Sequence, residues 1–206
     1  MISLFFDTSS PRLIVYLVKD GNILYEKNIL TKYDHSSYLV PSISEAFKNN
    51  NIDIHELDNI FVGIGPGSFT GTRISVTDAK VLAMCLNVNL IPISSLQEFV
   101  YAVDNYDYYV PIIEEKNDNI YYAIFDKDKN RIMDDSYSNV DTLYKILDNY
   151  DGKIALITDR NDYKYETVDK KIDIIKMVEC LKNEKGINPH LLKPSYIKKI
   201  SVEEKL

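Results

Sequence analysis

Short runs of apolar residues broken by turn sequences open the chain. Ile2–Asp7, Leu13–Val18 and Ile23–Leu30 have strand composition, and Thr8-Ser9-Ser10-Pro11-Arg12 and Gly21-Asn22 lie between them. A three-strand meander is predicted. From His35 to Asn49 the spacing changes, with Leu39, Ile43, Ala46 and Phe47 at helical intervals. Pro41 falls near the first turn, where a missing N–H costs least, so this helix is expected to start near Ser36 or to bend at Pro41. Asp53-x-x-Glu56 has the form of a capping box for a one-turn helix leading into the strand Ile60–Ile64. A long helix is predicted over Thr72–Leu86. Ile74, Val81, Met84 and Cys85 lie on one side of it, while Val76, Ala79 and Ala83 add apolar surface elsewhere. So broad an apolar surface predicts contacts on two sides. A strand Asn89–Ile93 and a helix Leu96–Val103, capped by Ser95-x-x-Glu98, complete the first half.

Asp104-Asn105-Tyr106-Asp107 reads as a hinge. Beyond it the order repeats: strands near Tyr109–Ile113, Ile120–Asp126 and Arg131–Ser136, a helix Asp141–Asn149, a strand Lys153–Thr158, and a helix near Lys171–Asn183. Both halves read β-β-β-α-β-α. This predicts an α/β protein of two lobes, residues 1–103 and 104–206, each a mixed sheet with helices. The tail from Asn188 to Lys199, punctuated by Pro189 and Pro194, reads as an ordered excursion returning to the first lobe.

The stretch Ile60–Arg73, from the strand Ile60–Ile64 into the long helix, holds Gly63, Gly65, Gly67 and Gly71, four of the seven glycines, with Pro66 between two of them. Glycines let a second backbone or a ligand come close, and N–H groups at a helix start can face an anion. The segment Gly65, Pro66, Gly67, Ser68, Phe69, Thr70, Gly71 is therefore either a phosphate-type or partner-docking loop, or a tight strand-to-helix turn. Its spacing misses the dinucleotide pattern G-x-G-x-x-G by one residue, and no Gly-Lys-Ser/Thr triplet is present. Pro66 and Thr70 stand where a hydrolase elbow around Ser68 would need glycine. Asp7, Thr8 and Ser9 place a carboxylate and two hydroxyls at a strand end, the position of a nucleotide-proximal turn or of plain turn chemistry.

The chain has 206 residues and a formal charge of −7. That balance argues against a surface built for nucleic-acid phosphates, which lysine and arginine neutralise. The two cysteines, Cys85 and Cys180, read as structural thiols, Cys85 buried in its helix. The N-terminus lacks a basic region before Asp7, and no apolar run approaches membrane-spanning length, so a cytoplasmic protein is expected. His35, His55 and His190 are far apart, and His55-Glu56-Leu57-Asp58-Asn59 lacks the second histidine of a zinc-protease motif; no metal site is predicted. Glu114 and Glu115 are neighbours on a strand end and point to opposite faces, so they read as a charged hairpin and not as an acid/base pair.

Several motifs together resemble one family. Asp7-Thr8-Ser9, His35-Ser36-x-x-Leu39-x-Pro41-x-Ile43, Gly63-x-Gly65-Pro66-Gly67-Ser68-Phe69-Thr70-Gly71-x-Arg73-Ile74 and Ala79-Lys80-x-Leu82-Ala83 are similar to the TsaB (YeaZ) proteins of bacteria. The similarity is strong over residues 1–100 and afterwards rests on Pro194-Ser195-Tyr196-Ile197-Lys198. It implies the actin-like, Hsp70-like ATPase fold of two ribonuclease-H-like lobes. It further implies a non-catalytic subunit of the machinery that places threonylcarbamoyl on the tRNA adenosine next to the anticodon. Such a subunit pairs with the transferase TsaD, or with a second copy when TsaD is absent, and assists docking of the ATPase TsaE, while TsaC supplies threonylcarbamoyl-adenylate. Contact with tRNA is implied only through the complex. No cofactor of its own is implied, and ATP or ADP is expected only at the complex interface. The metal histidines of TsaD align here with Ser95 and Phe99. Glu114-Glu115-Lys116 departs from the Asp-Ala-Arg carried by many members. The resemblance puts the partner surface on the helices after His35 and Gly71, and Tyr38, Leu39, Ser42, Ile43, Thr72, Arg73, Val76 and Ala79 are expected to contribute to it. The alternative is an ATP-binding acyltransferase or kinase of the same fold acting on its own.

Overall fold

The computed structural model describes residues 1–31 and 34–198. They fall into two compact units: residues 1–95 with 174–195, and residues 96–173 with the segment from Tyr196 on.

In the first unit β1 (Ile2–Asp7), β2 (Arg12–Lys19) and β3 (Asn22–Leu30) form the expected antiparallel meander. β4 (Asn59–Gly63) and β5 (Asn89–Ile93) add to it in parallel, giving the order β3-β2-β1-β4-β5. Parallel neighbours require crossover connections, and the two helices α1 (His35–Asn49) and α2 (Phe69–Leu86) supply them. Alternate residues of the strands, Ile2, Leu4 and Phe6 with Leu13, Val15 and Leu17, share one core with Leu39, Ile43, Ala46 and Phe47 of α1 and Val76, Ala79 and Ala83 of α2. The capping box at Asp53 and Glu56 forms as expected, closing the single turn Ile54–Glu56.

The second unit repeats the plan. β6 (Tyr108–Glu114), β7 (Asn119–Asp126) and β8 (Arg131–Asn139) are antiparallel, and β9 (Ile154–Ile157) and β10 (Thr167–Val168) join in parallel, in the order β10-β9-β6-β7-β8. The helix α3 (Val140–Leu147) starts where Asn139 accepts from the Thr142 N–H at 2.9 Å. One face of this sheet packs Val110, Ile112 and Tyr122 on Leu143 and Leu147. Its other face packs Tyr109, Tyr121 and Phe125 on Leu96, Val100 and Val103. Two sheets with one strand order make the pair of matching α/β units expected from the sequence.

Several expectations are corrected. The boundary falls after Ser95 and not after Val103, because Leu96–Val103 covers the sheet of the second unit. That segment is a short tight helix, Gln97–Ala102, and Ser95 does not cap it. The last helix, α4 (Ile174–Leu181), belongs to the first unit. The chain after α4 is tied to that unit by hydrogen bonds from Gly186 N–H to Asn89 Oδ1 (2.9 Å), Ile187 N–H to the Leu90 carbonyl (2.9 Å) and Ser195 N–H to the Ile64 carbonyl (2.7 Å). The tail thus returns to the first unit as far as Ser195, while Tyr196–Lys198 group with the second unit; Lys199, the last residue of the expected tail, and all of 199–206 lie outside the described residues. Cys85 is exposed and not buried, since it falls on the outer side of α2.

Leu192 sits in the core of the first unit, almost 100 residues beyond its last strand. Leu192→Ala is expected to destabilise the protein by about 2–5 kcal/mol, the usual range for such a truncation in a core. Chemical denaturation followed at a first-unit probe checks it, and a loss below about 0.5 kcal/mol, the ordinary surface value, would contradict the placement.

Candidate functional site

The functional end of the first unit is built where β1 and β4 finish. Asp7, the last residue of β1, is buried, and its carboxylate is held by hydrogen bonds. Its Oδ1 accepts from the Ser9 N–H, and its Oδ2 accepts from the Ser95 hydroxyl at 2.5 Å. The same Ser95 oxygen accepts from the Ser9 hydroxyl at 2.9 Å and from the Gly65 N–H at 3.1 Å. A hydroxyl has one proton to give and two lone pairs to fill, so Ser95 is saturated. A buried carboxylate without such donors would be costly, which accounts for the turn Thr8-Ser9 folding back on Asp7.

Next, the glycine segment closes on that turn. Ser68 N–H donates to the Ser9 carbonyl at 2.6 Å, and Thr8 Oγ1 donates to the Gly71 carbonyl at 2.7 Å. Ser68 then caps α2: its hydroxyl oxygen accepts from the Gly71 N–H at 3.2 Å, so the helix begins at Phe69, three residues earlier than expected. The glycines are required by contact. A Cβ on Gly63 would lie 1.9 Å from Asp7 Oδ2, and one on Gly71 would lie 1.9 Å from the Thr8 carbonyl oxygen. Gly67, at φ +154°, faces the Ser9 carbonyl in the same way. Of the two readings left open by the sequence, this geometry is that of a tight turn packed on its neighbour, with the Gly65 and Ser68 N–H groups engaged internally. Asp7, Thr8 and Ser9, either a nucleotide-proximal turn or plain turn chemistry on the sequence alone, are all buried.

The expected partner residues divide sharply. Leu39, Ser42, Ile43, Thr72, Val76 and Ala79 are buried within the chain's own first unit. The apolar ones, Leu39, Ile43, Val76 and Ala79, belong to its core, so the surface assignment is corrected for all six. Thr72 and Ser42 use their hydroxyls on helix carbonyls, those of Ser68 and Tyr38. Only Tyr38 and Arg73 point outward. The outward apolar residues are others: Val40 is 55% exposed, Val81 54%, Met84 53%, Phe69 44% and Tyr38 43%. The Arg73 guanidinium stacks over Phe69 at 3.9 Å from the ring centre. Val81 stands about 140° around α2 from Val76 at 3.6 residues per turn, which is the signal available in the sequence.

His35 is buried at the start of α1. Its Nδ1 lies 2.9 Å from Thr31 Oγ1, its Nε2 has no partner among the described residues, and burial pulls its pKa below the ordinary histidine value. Ser95 is committed to Asp7, and Phe99 packs in the second unit. In the second unit, where a phosphate turn would follow β9, Arg160 is paired with Asp162 (2.7 Å) and Asp118 (3.4 Å). Glu114 accepts from Thr158 Oγ1 and pairs with Lys170 at 2.9 Å. Charge is also divided: residues 96–173 carry eighteen Asp and Glu against ten Lys and Arg, whereas residues 1–95 with 174–195 carry eleven of each. No helix among the described residues is long and apolar enough to cross a membrane.

A family profile for TsaD, tRNA N6-adenosine threonylcarbamoyltransferase, matches residues 29–178, more than half of the chain. The TsaB protein of Bacillus subtilis, a tRNA threonylcarbamoyladenosine biosynthesis protein, is 29% identical over 126 residues, covering 61% of this chain and 55% of that one. The TsaB of Haemophilus influenzae is 29% identical over 128 residues, covering 61% and 54%. The matched region thus spans about half the length of these relatives. A Pseudomonas aeruginosa structure described as similar to the peptidase YeaZ superposes with a TM-score of 0.80 at 17% identity, covering 96% of this chain and 99% of that one. A second, YeaZ from the same organism, gives 0.74 at 17% identity and covers 95% and 99%. The architecture is therefore that of the YeaZ structures, two α/β units. The chain belongs to the TsaD-type family and, within it, to the TsaB (YeaZ) group.

Gly71 gives a test in which two effects oppose each other. Alanine in a helix normally gains about 1 kcal/mol over glycine. Here its methyl group would meet the Thr8 carbonyl, so Gly71→Ala is expected to lose about 1–3 kcal/mol, as overpacking does. Thermal unfolding decides the sign, and a stabilised variant would show that the turn is not packed as described.

Proposed function

We propose that this protein is a non-catalytic scaffold subunit of the tRNA threonylcarbamoyladenosine machinery, which binds and activates TsaD through the outward face of α1 and α2. The observation that carries this reading is the set of large apolar side chains left in solvent there: Tyr38, Val40, Phe69, Val81 and Met84. Scattered apolar residues are ordinary on a surface, but Phe69, Met84 and Val81 fall on one side of α2, and Tyr38 and Val40 add exposed apolar area on the touching helix α1, which supports an interface there. Family membership supports the pathway, and the profile match to TsaD supports a partner with a related fold. In this reading a second copy occupies the same face when TsaD is absent. The assembled pair recruits the ATPase TsaE, and TsaC delivers the threonylcarbamoyl-adenylate. The excess of carboxylates in residues 96–173 repels phosphates, so tRNA is engaged through the complex, in the cytoplasm.

The other reading is an ATP-binding acyltransferase or kinase acting alone. It requires N–H groups free to cradle phosphate, and the Gly65 and Ser68 N–H groups are already spent on Ser95 and Ser9. ATP or ADP, where it takes part, is then held at the complex interface. Isothermal calorimetry of the isolated protein with magnesium-ATP is expected to show no saturable heat; saturable binding would favour the enzyme reading.

Val81→Asp and Met84→Asp each place a charge in the proposed interface. Each is expected to weaken the TsaD complex at least tenfold, about 1.4 kcal/mol or more, with an unchanged melting temperature because both sites are exposed. Size exclusion and calorimetry with TsaD measure this, and wild-type affinity in both variants would reject the surface. Val76→Asp is unsuitable as a probe, since it buries its charge in the chain's own core.

A further inference from the structure

We propose that Ser95 is the positioning residue of the docking face: by clamping Asp7, Ser9 and Gly65 on one oxygen, it sets where α2 begins and so where Phe69 and Arg73 stand. The inference rests on the docking reading above and assigns a role to a residue that lies outside that surface. Ser95 is buried, two residues after β5, and is not one of the exposed residues of the outward face. Its hydroxyl joins three chain segments: the turn after β1 through Asp7 and Ser9, the segment after β4 through the Gly65 N–H, and its own. Its backbone N–H adds a second link, donating to the Gly65 carbonyl at 2.9 Å.

From this knot the constraint runs to the helix in two steps. Ser9, whose hydroxyl and N–H are both held within the knot, presents its carbonyl to the Ser68 N–H at 2.6 Å. Ser68 is the N-cap of α2, so its position sets the start of the helix. Phe69 follows at once, and Arg73 stacks on it one turn later. The glycines make the coupling stiff, because Gly67 and Gly71 lie against the Ser9 and Thr8 carbonyls without room for a Cβ. A shift of Ser9 is therefore transmitted to the first turn of the helix and not absorbed in the loop. Removal of the Ser95 hydroxyl leaves an Asp7 oxygen, the Ser9 hydroxyl and the Gly65 N–H without this partner, which is the condition under which a buried polar knot rearranges.

The test compares Ser95→Ala with three other variants of the full chain. Ser95→Thr keeps the hydroxyl; Ser9→Ala removes only one partner and is the milder change should Ser95→Ala fail to fold; Val110→Ala lowers stability in the core of the second unit. Affinity for TsaD is measured by calorimetry, and exchange of the amides of residues 65–73 by hydrogen–deuterium exchange. Ser95→Ala is expected to weaken binding about tenfold, roughly 1.4 kcal/mol, and to speed exchange at residues 65–73. Ser9→Ala should weaken binding less and Ser95→Thr should restore it. Val110→Ala should lower the melting temperature with binding unchanged. The inference is overturned if the Ser95→Ala protein, or Ser9→Ala in its place, binds TsaD as tightly as wild type. It is overturned equally if Val110→Ala loses as much affinity for the same fall in melting temperature. Val81→Asp, run in parallel, separates the two levels: when it abolishes binding and Ser95→Ala does not, only the positioning role fails, and when it too binds as wild type, the docking reading fails and this inference with it.

Discussion

A carboxylate removed from water must be given hydrogen-bond donors, and the functional end of this protein is arranged around meeting that demand for Asp7. The donors come from the chain two residues on and from Ser95, almost ninety residues away. To bring them in, the turn after β1 folds under the glycine segment, and Gly63 has no side chain because Asp7 Oδ2 occupies the space a Cβ would take. A strand-end carboxylate and a glycine turn are parts that could suit a bound phosphate and its ion. Here the two elements are closed on each other, and what they shape is the start of a helix.

That helix, α2, has two apolar sides with different tasks. Val76, Ala79 and Ala83 lie inward, and the small alanines let the helix approach its sheet closely. Val81 and Met84 lie outward with Cys85, exposed to solvent. A helix apolar on one side only would satisfy the fold; the second side is surplus to it and supports a use outside the chain.

Much of this is legible in the residues. The alternation in Ile2–Asp7 and Leu13–Val18, the helical spacing of Leu39, Ile43, Ala46 and Phe47, and the repeated β-β-β-α-β-α order lead to the two sheets. The breadth of α2 is also visible, but not which side faces inward, because apolar residues on both sides blur the phase that amphipathic spacing normally supplies. That is why Val76 and Ala79 read as surface residues when they belong to the core. Ser95 reads as a local helix cap, since Glu98 stands at the right interval, and its actual partners Asp7 and Gly65 are far away in sequence. Long-range ties of that kind leave no periodicity. For the same reason α4 groups with its sequence neighbours on the pattern alone, while the Asn89 clamp on Gly186 and the burial of Leu192 join the segment after it to β5 and the first core.

The return of residues 174–195 makes the first unit discontinuous, with residues 96–173 of the second unit inserted into it. During synthesis on the ribosome the amino-terminal sheet and its two helices emerge early, yet Leu192 and the hydrogen bond from Ser195 arrive only after residues 96–173. The inserted part, residues 96–173, is contiguous in sequence and can begin folding before they are made. The earlier half must meanwhile wait with part of its apolar interior uncovered, which makes it the portion with most need of chaperone protection in the interval.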